Sequence, residues 1–174
     1  PVVYNLDGGI LNVGAYGFAK GSTGTAVPQF NFNGGTYRAT ASHDISSNIA
    51  INLQNGGGTI DTNGFNISSG SRLIGVGTGA FTKAGNGELV LTGNNTYSGA
   101  THIKEGTLRV NGSSTNSFLT DVGDGGTLGG SGFVAGVQVE NNGTIAPGDF
   151  AGNTSILNTA DLTFMGSGAK LTIE

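Results

Sequence analysis

Residues 83–112 read KAGNGELVLTGNNTYSGATHIKEGTLRVNG, and their pattern decides the fold. The stretch has no Cys, no Pro and one His, and apolar residues alternate with polar ones in short runs broken by Gly and Asn. In Leu108-Arg109-Val110 the outer pair shares a face and Arg109 lies opposite, as a strand's period of two requires. Leu89 and Leu91 flank Val90 in the same way. Ile49, Ile51 and Leu53, then Phe30-Asn31-Phe32 and Phe65-Asn66-Ile67, repeat the pattern elsewhere.

Glycine opens these runs at Gly9, Gly35, Gly58, Gly87, Gly106, Gly126, Gly143 and Gly168. The steps are uneven, widest from Gly58 to Gly87 and narrowest from Gly126 to Gly143. They centre near twenty, and a recurrence of that length signals a solenoid. Helical solenoids need amphipathic runs of ten or more residues. The glycines would break such runs at about 1 kcal/mol each. Strands of three to five residues, each laid on its equivalent one coil away at roughly 4.8 Å, make a parallel β-helix. The expected fold is therefore all-β, a right-handed parallel β-helix of eight or nine coils. Gly and Asn are expected at the corners, where left-handed backbone is needed. A β-sandwich would show hairpin turns more evenly, and a leucine-rich repeat needs a Leu pattern and Asn ladder that are missing.

Composition narrows function. Charged residues are 10% of the 174, hydrophobic residues 36%, and Gly numbers 34. Regular Val, Ile, Leu and Phe supply enough apolar surface to bury, so disorder is a poor reading. Seven Lys and Arg, unclustered at a net charge of −4, offer no stripe for phosphates, which argues against nucleic acid as a partner. Zero Cys removes disulfides, thiolate metal sites and Cys nucleophiles. The opening PVVYNLDGG has no charged leader followed by an apolar core, and the abrupt ends suggest a slice of a longer protein.

Catalytic and ligand motifs are weak. Gly75-Val76-Gly77-Thr78-Gly79 lacks the sixth-place Gly of a dinucleotide loop, where Ala80 stands, and reads as a corner. Asp121-Val122-Gly123-Asp124-Gly125-Gly126 is similar to an acidic calcium loop but is not repeated, so it reads as a polar turn. His102 should point outward beside Ile103. The 11 acidic residues show no recurring offset that would pair carboxylates for sugar cleavage. No enzyme activity, cofactor, metal or small-molecule substrate is expected.

Asn86-Gly87-Glu88-Leu89-Val90-Leu91-Thr92-Gly93-Asn94-Asn95-Thr96-Tyr97-Ser98-Gly99-Ala100-Thr101, with Gly106-Thr107-Leu108-Arg109-Val110 after it, closely resembles the passenger-associated repeat of bacterial autotransporters. That pattern runs G-x-L-x-L-x-G-x-N-x-Y-x-G-x-T, then G-T-L-x-V. Gly126-Thr127-Leu128-Gly129-Gly130-Ser131-Gly132 and Asn142-Gly143-Thr144-Ile145-Ala146-Pro147-Gly148 look like the autochaperone, or junction, region that follows it. The resemblance implies a Gram-negative surface virulence or adhesion protein, with the actin-nucleating type among the candidates. It implies export through the periplasm and outer membrane. The C-terminal part of the passenger would then fold first. The implied partners are the protein's own translocator barrel and upstream passenger coils, with host proteins held by parts outside this chain.

Residues 1–130, including the repeat at 83–112, are read as coils. Residues 131–174 are read as an antiparallel cap of the same domain, with a turn at Pro147-Gly148. The expected folding core is Leu89, Leu91, Tyr97, Ile103, Leu108 and Val110, then Phe133, Val134, Val137 and Val139. Tyr97 should pack inward with its hydroxyl on water or a turn carbonyl. Asn94 and Asn95 should satisfy backbone groups at a corner.

Overall fold

A computed structural model describes residues 2–17, 26–149 and 155–173. Among these the chain is all strand and turn, and its paired strands run parallel into a β-solenoid of three faces. The second face is the longest ladder: Ile10–Val13, Thr36–Ala39, Gly58–Asp61, Phe81–Ala84, Thr101–Ile103, Thr120–Val122, Val137–Val139 and Leu162–Phe164. Its rungs span about seven turns. The third face runs from His43–Ile45 through Ile67–Ser69, Glu88–Leu91, Gly106–Val110, Gly126–Gly130 and Thr144–Pro147 to Lys170–Leu171. The first face comes in two ladders, Val3–Leu6 to Leu73–Gly75 below and Ser113–Ser114 to Asn158–Thr159 above.

Alternation puts like residues in columns. Ile67, Leu89, Leu108, Leu128 and Ile145 stand one above the other on the third face, all buried. Ile103, Val122 and Val139 do the same on the second. Each inward methyl packs on the rung below and the rung above, which is the hydrophobic gain that a lone short strand cannot obtain.

The glycine series proves to mix two faces. Gly9, Gly35 and Gly58 open second-face strands, whereas Gly87, Gly106, Gly126, Gly143 and Gly168 open third-face strands. The wide step from Gly58 to Gly87 is thus one coil plus one face. True coil length is read from one outward column of the second face: Ile10, Thr36, Thr59, Thr82, His102, Asp121, Gln138 and Thr163. The steps from Thr82 to His102, to Asp121 and to Gln138 are each shorter than any step before them, and each is shorter than the last. The final step, to Thr163, is long again.

Many corner glycines answer a close approach rather than a left-handed backbone. A Cβ on Gly99 would stand 2.0 Å from the carbonyl oxygen of Gly79, and one on Gly132 would stand 2.0 Å from that of Gly112. Left-handed backbone also occurs as expected, at Asn63 (φ 49°) and Asn142 (φ 58°) and at glycines such as Gly64 (φ 84°) and Gly125 (φ 80°), where a Cβ would meet nothing.

The antiparallel cap is not found among the described residues; part of its expected span, 150–154 and 174, lies outside them. The paired strands beyond residue 130 keep the parallel ladder: Phe133–Val134 on Ser113–Ser114, Leu162–Phe164 on Val137–Val139, and Lys170–Leu171 on Thr144–Pro147. An isolated antiparallel bridge joins Gly130 to Gly148. The period-two runs at 162–164 and 170–173 fall where another parallel rung pairs their backbone groups with the coil below. Pro147 closes a parallel rung instead of forming a hairpin turn. Leu162, Phe164 and Leu171 lie in register with the core columns but are exposed at this last coil.

Phe133, expected in the folding core, lies outside it. Of the two residues in its short strand, Val134 points inward and Phe133 is 54% exposed. Leu128→Ala should therefore cost about 2–5 kcal/mol in guanidinium unfolding, and Phe133→Ser less than about 0.5 kcal/mol.

Candidate functional site

The first face is interrupted at the coil of residues 92–100, inside the stretch quoted above. The lower ladder ends at Leu73–Gly75 and the upper begins at Ser113–Ser114. Between them Asn95, Tyr97, Gly99 and Thr101 all point inward, one residue in two, while Asn94, Thr96 and Ser98 face out. The spacing N-x-Y-x-G-x-T is thus the inward face of one extended segment.

Single backbone bonds and side chains do the joining where strands do not: the Thr96 amide donates to the Leu73 carbonyl at 2.9 Å and the Asn95 amide to the Ser113 carbonyl at 2.8 Å. Asn95 accepts from the Leu73 amide at 3.0 Å and donates to Ser114 Oγ at 3.0 Å and to the Gly93 carbonyl at 3.3 Å. It therefore ties the last rung of the lower ladder to the first rung of the upper one. Asn94 contributes a backbone bridge to Ser113. Tyr97 is 1% exposed, and its hydroxyl meets Thr101 Oγ1 at 2.7 Å rather than a turn carbonyl. Thr101 in turn meets Ser117 Oγ at 3.1 Å, and Ser117 donates to the Gly99 carbonyl at 2.9 Å. Burial pushes the Tyr97 phenol above its ordinary pKa, while the hydrogen bonds to Thr101 and Ser114 pull it down.

Lys83 was not singled out from the sequence. It belongs to the inward column of the second face, between Ile60 and Ile103, and its side chain is wholly buried. The signal was the alternation itself, since Lys83 stands two places after the inward Phe81. Its ammonium reaches the corner, where its three N–H donors are shared among four oxygens, Thr62 Oγ1, Ala84 O, Gly85 O and Glu105 O, at distances from 2.6 to 3.0 Å. Desolvation lowers its pKa to about 8, against the opposing pull of the Asp61 and Glu105 carboxylates.

Of the expected core, Leu89, Leu91, Leu108 and Val110 line the third face, Ile103, Val137 and Val139 line the second, and Val134 and Tyr97 are buried on the first. Arg109 faces outward, with Nε on Glu88 Oε2 at 2.6 Å and an Nη on the Gly148 carbonyl at 2.6 Å. His102 is outward and meets Asp121 Oδ2 at 3.3 Å. His43 is buried, with Tyr37 Oη on one ring nitrogen and Ala41 O on the other. Among the described residues, no three His, Asp or Glu side chains gather to hold a metal ion. No helix there is long and apolar enough to cross a membrane, which says nothing of a β-barrel. The arrangement is built to join coils.

The family described as passenger-associated-transport-repeat matches residues 81–110, slightly ahead of the stretch expected at 83–112. Over 84 residues, 48% of this chain, the sequence is 39% identical to a Serratia marcescens protein described as an extracellular serine protease. Over 76 residues, 42% of the chain, it is 45% identical to the adhesin BmaC autotransporter of Brucella suis biovar 1 (strain 1330). The matched stretches cover only 8% and 2% of those two relatives. No solved structure matches. These comparisons bear on the passenger family and not on the actin-nucleating type within it.

Asn95→Ala orphans the buried Leu73 amide and should cost about 1–3 kcal/mol, with Tyr97→Phe costing about 1 kcal/mol, both read by guanidinium unfolding. Lys83 binds fewer protons folded (pKa about 8) than unfolded (10.5). Unfolding free energy should therefore rise as pH climbs through that window, by up to about 1.4 kcal/mol per pH unit. Below pH 8 both states hold the proton and the term is flat. Lys83→Met should lose the slope, in unfolding series run below the onset of tyrosine ionisation.

Proposed function

We propose that the coils from about residue 81 to 147, which include the stretch matched to the passenger-associated repeat, form the segment that nucleates folding of an autotransporter passenger's β-helix during export. The observation that carries this reading is coil length. From Thr82 through His102 and Asp121 to Gln138, each rung is completed in fewer residues than in any of the coils before. Ordering a residue costs about 1–2 kcal/mol of conformational entropy, so a shorter coil gains a similar rung for a smaller loss. Nucleation is the costly step in a linear array, because the first coil has no neighbour. The shortest, fully packed coils are where that step costs least.

In this reading the segment catalyses nothing. Its partners are the translocator barrel through which it emerges and the passenger coils that stack on it. The protein is exported to the bacterial surface or beyond. The absence of Cys suits passage in an unfolded state, since no disulfide can trap a loop on the way.

A second reading is an adhesive stalk. It is favoured by one relative's description as an adhesin and by two outward aromatic side chains, Phe118 at 83% exposed and Phe133 at 54%. The two readings separate in cells. Leu108→Asp buries an unpaired charge in the core column and should abolish surface display of the passenger if the segment is a seed, as measured by protease accessibility of intact cells. Wild-type display from this variant would end the seed reading. A stalk predicts that Phe118→Ser with Phe133→Ser leaves display intact and removes cell adhesion.

A further inference from the structure

The oxygens around Lys83 are arranged as a cation site. Four of them meet the ammonium, at 3.0 Å (Thr62 Oγ1), 2.9 Å (Ala84 O), 2.6 Å (Gly85 O) and 3.0 Å (Glu105 O). All four are neutral. The nearby Asp61 carboxylate is engaged elsewhere, one oxygen against Arg38 Nε at 3.1 Å and the other accepting the Asn63 amide at 2.8 Å. Thr62 Oγ1 is itself fixed, since it also accepts from the Gly87 amide at 3.1 Å and donates within the Ala84 and Gly85 carbonyl pair. The oxygens come from three successive coils: Thr62 from one, Ala84 and Gly85 from the next, and Glu105 from the third.

We propose that this corner is a monovalent-cation site of four neutral oxygens, occupied in this chain by its own lysine ammonium, and that it takes free ammonium or potassium when the side chain is shortened. Neutral carbonyls replacing a hydration shell are how proteins hold potassium. Three of the four oxygens stand too far from the charge to suit calcium, which needs about 2.3–2.6 Å, and all four too far for magnesium, which needs about 2.0–2.1 Å. The Asp61 and Glu105 carboxylates act on the charge and offset part, but not all, of what its burial costs. A cation here holds three coils in register at once, because without it the Ala84, Gly85 and Glu105 carbonyls at the corner lose their shared partner.

The test is thermal unfolding of Lys83→Ala in ammonium, methylammonium or potassium chloride against choline chloride at equal ionic strength. The variant's midpoint should rise in ammonium relative to choline by about 2–4 °C or more and then saturate, while the wild type is indifferent to the choice of salt. Equal midpoints for the variant in ammonium and choline would overturn the proposal, as would failure to fold in ammonium as well as in choline. Lys83→Met fills the stem's volume but carries no charge. It should be less stable than wild type at neutral pH and blind to the choice of salt; a Met variant as stable as wild type would also overturn the proposal.

Discussion

Everything in this molecule follows from one constraint: each coil hydrogen-bonds in parallel to the coil beneath it, at the fixed spacing of adjacent strands. That spacing leaves room for a column of side chains inside the rod and for almost nothing at some corners. Inside, the constraint sorts residues into columns, of which Ile67, Leu89, Leu108, Leu128 and Ile145 make the clearest. At the corners it selects glycine by contact, as where Gly99 sits against the Gly79 carbonyl. Where the ladder breaks, at residues 92–100, the same backbone groups still need partners. There the Asn95 side chain joins the two ladders, and Thr101 and Ser117 tie the crossing segment to the coil above.

This explains why the passenger repeat looks as it does. The G-E-L-V-L and G-T-L-R-V parts are two rungs of the third face, stacked in register from Leu89 on Leu108 to Leu91 on Val110. The N-x-Y-x-G-x-T part is the crossing between them, at the place on the first face where neither ladder reaches. Hydrophobic columns make the first part recognisable, and the buried hydrogen bonds of Asn95 and Tyr97 make the second.

Much of this was legible in the sequence. Alternation placed Leu108, Val110 and Ile103 inward and Arg109 and His102 outward, because a period of two leaves no choice once one residue is assigned. Other features were not legible, each for a physical reason. Similar glycine openings on two faces look like one series, so the wide step from Gly58 to Gly87 concealed a change of face. Phe133 heads a short strand, too short for alternation to say which of Phe133 and Val134 goes in. The antiparallel end was expected because open edges are hazardous, yet the runs at 162–164 and 170–173 have the spacing for further parallel rungs. Lys83 was overlooked because a charge in an alternating run is ordinarily read as outward. Only the ring of oxygens at its tip makes an inward lysine tolerable. Successive coils contribute that ring, so it is invisible until the coils are stacked.

Under the proposed seed role folding order follows coil length, and native-state hydrogen exchange of the chain tests that link most directly. The slowest amides, opening with the highest free energies, should lie between residues 81 and 147, and the longer coils of residues 29–75 should open at lower cost as a separate unit. Slowest exchange in the coils before residue 75, or one uniform opening energy along the whole rod, would contradict it.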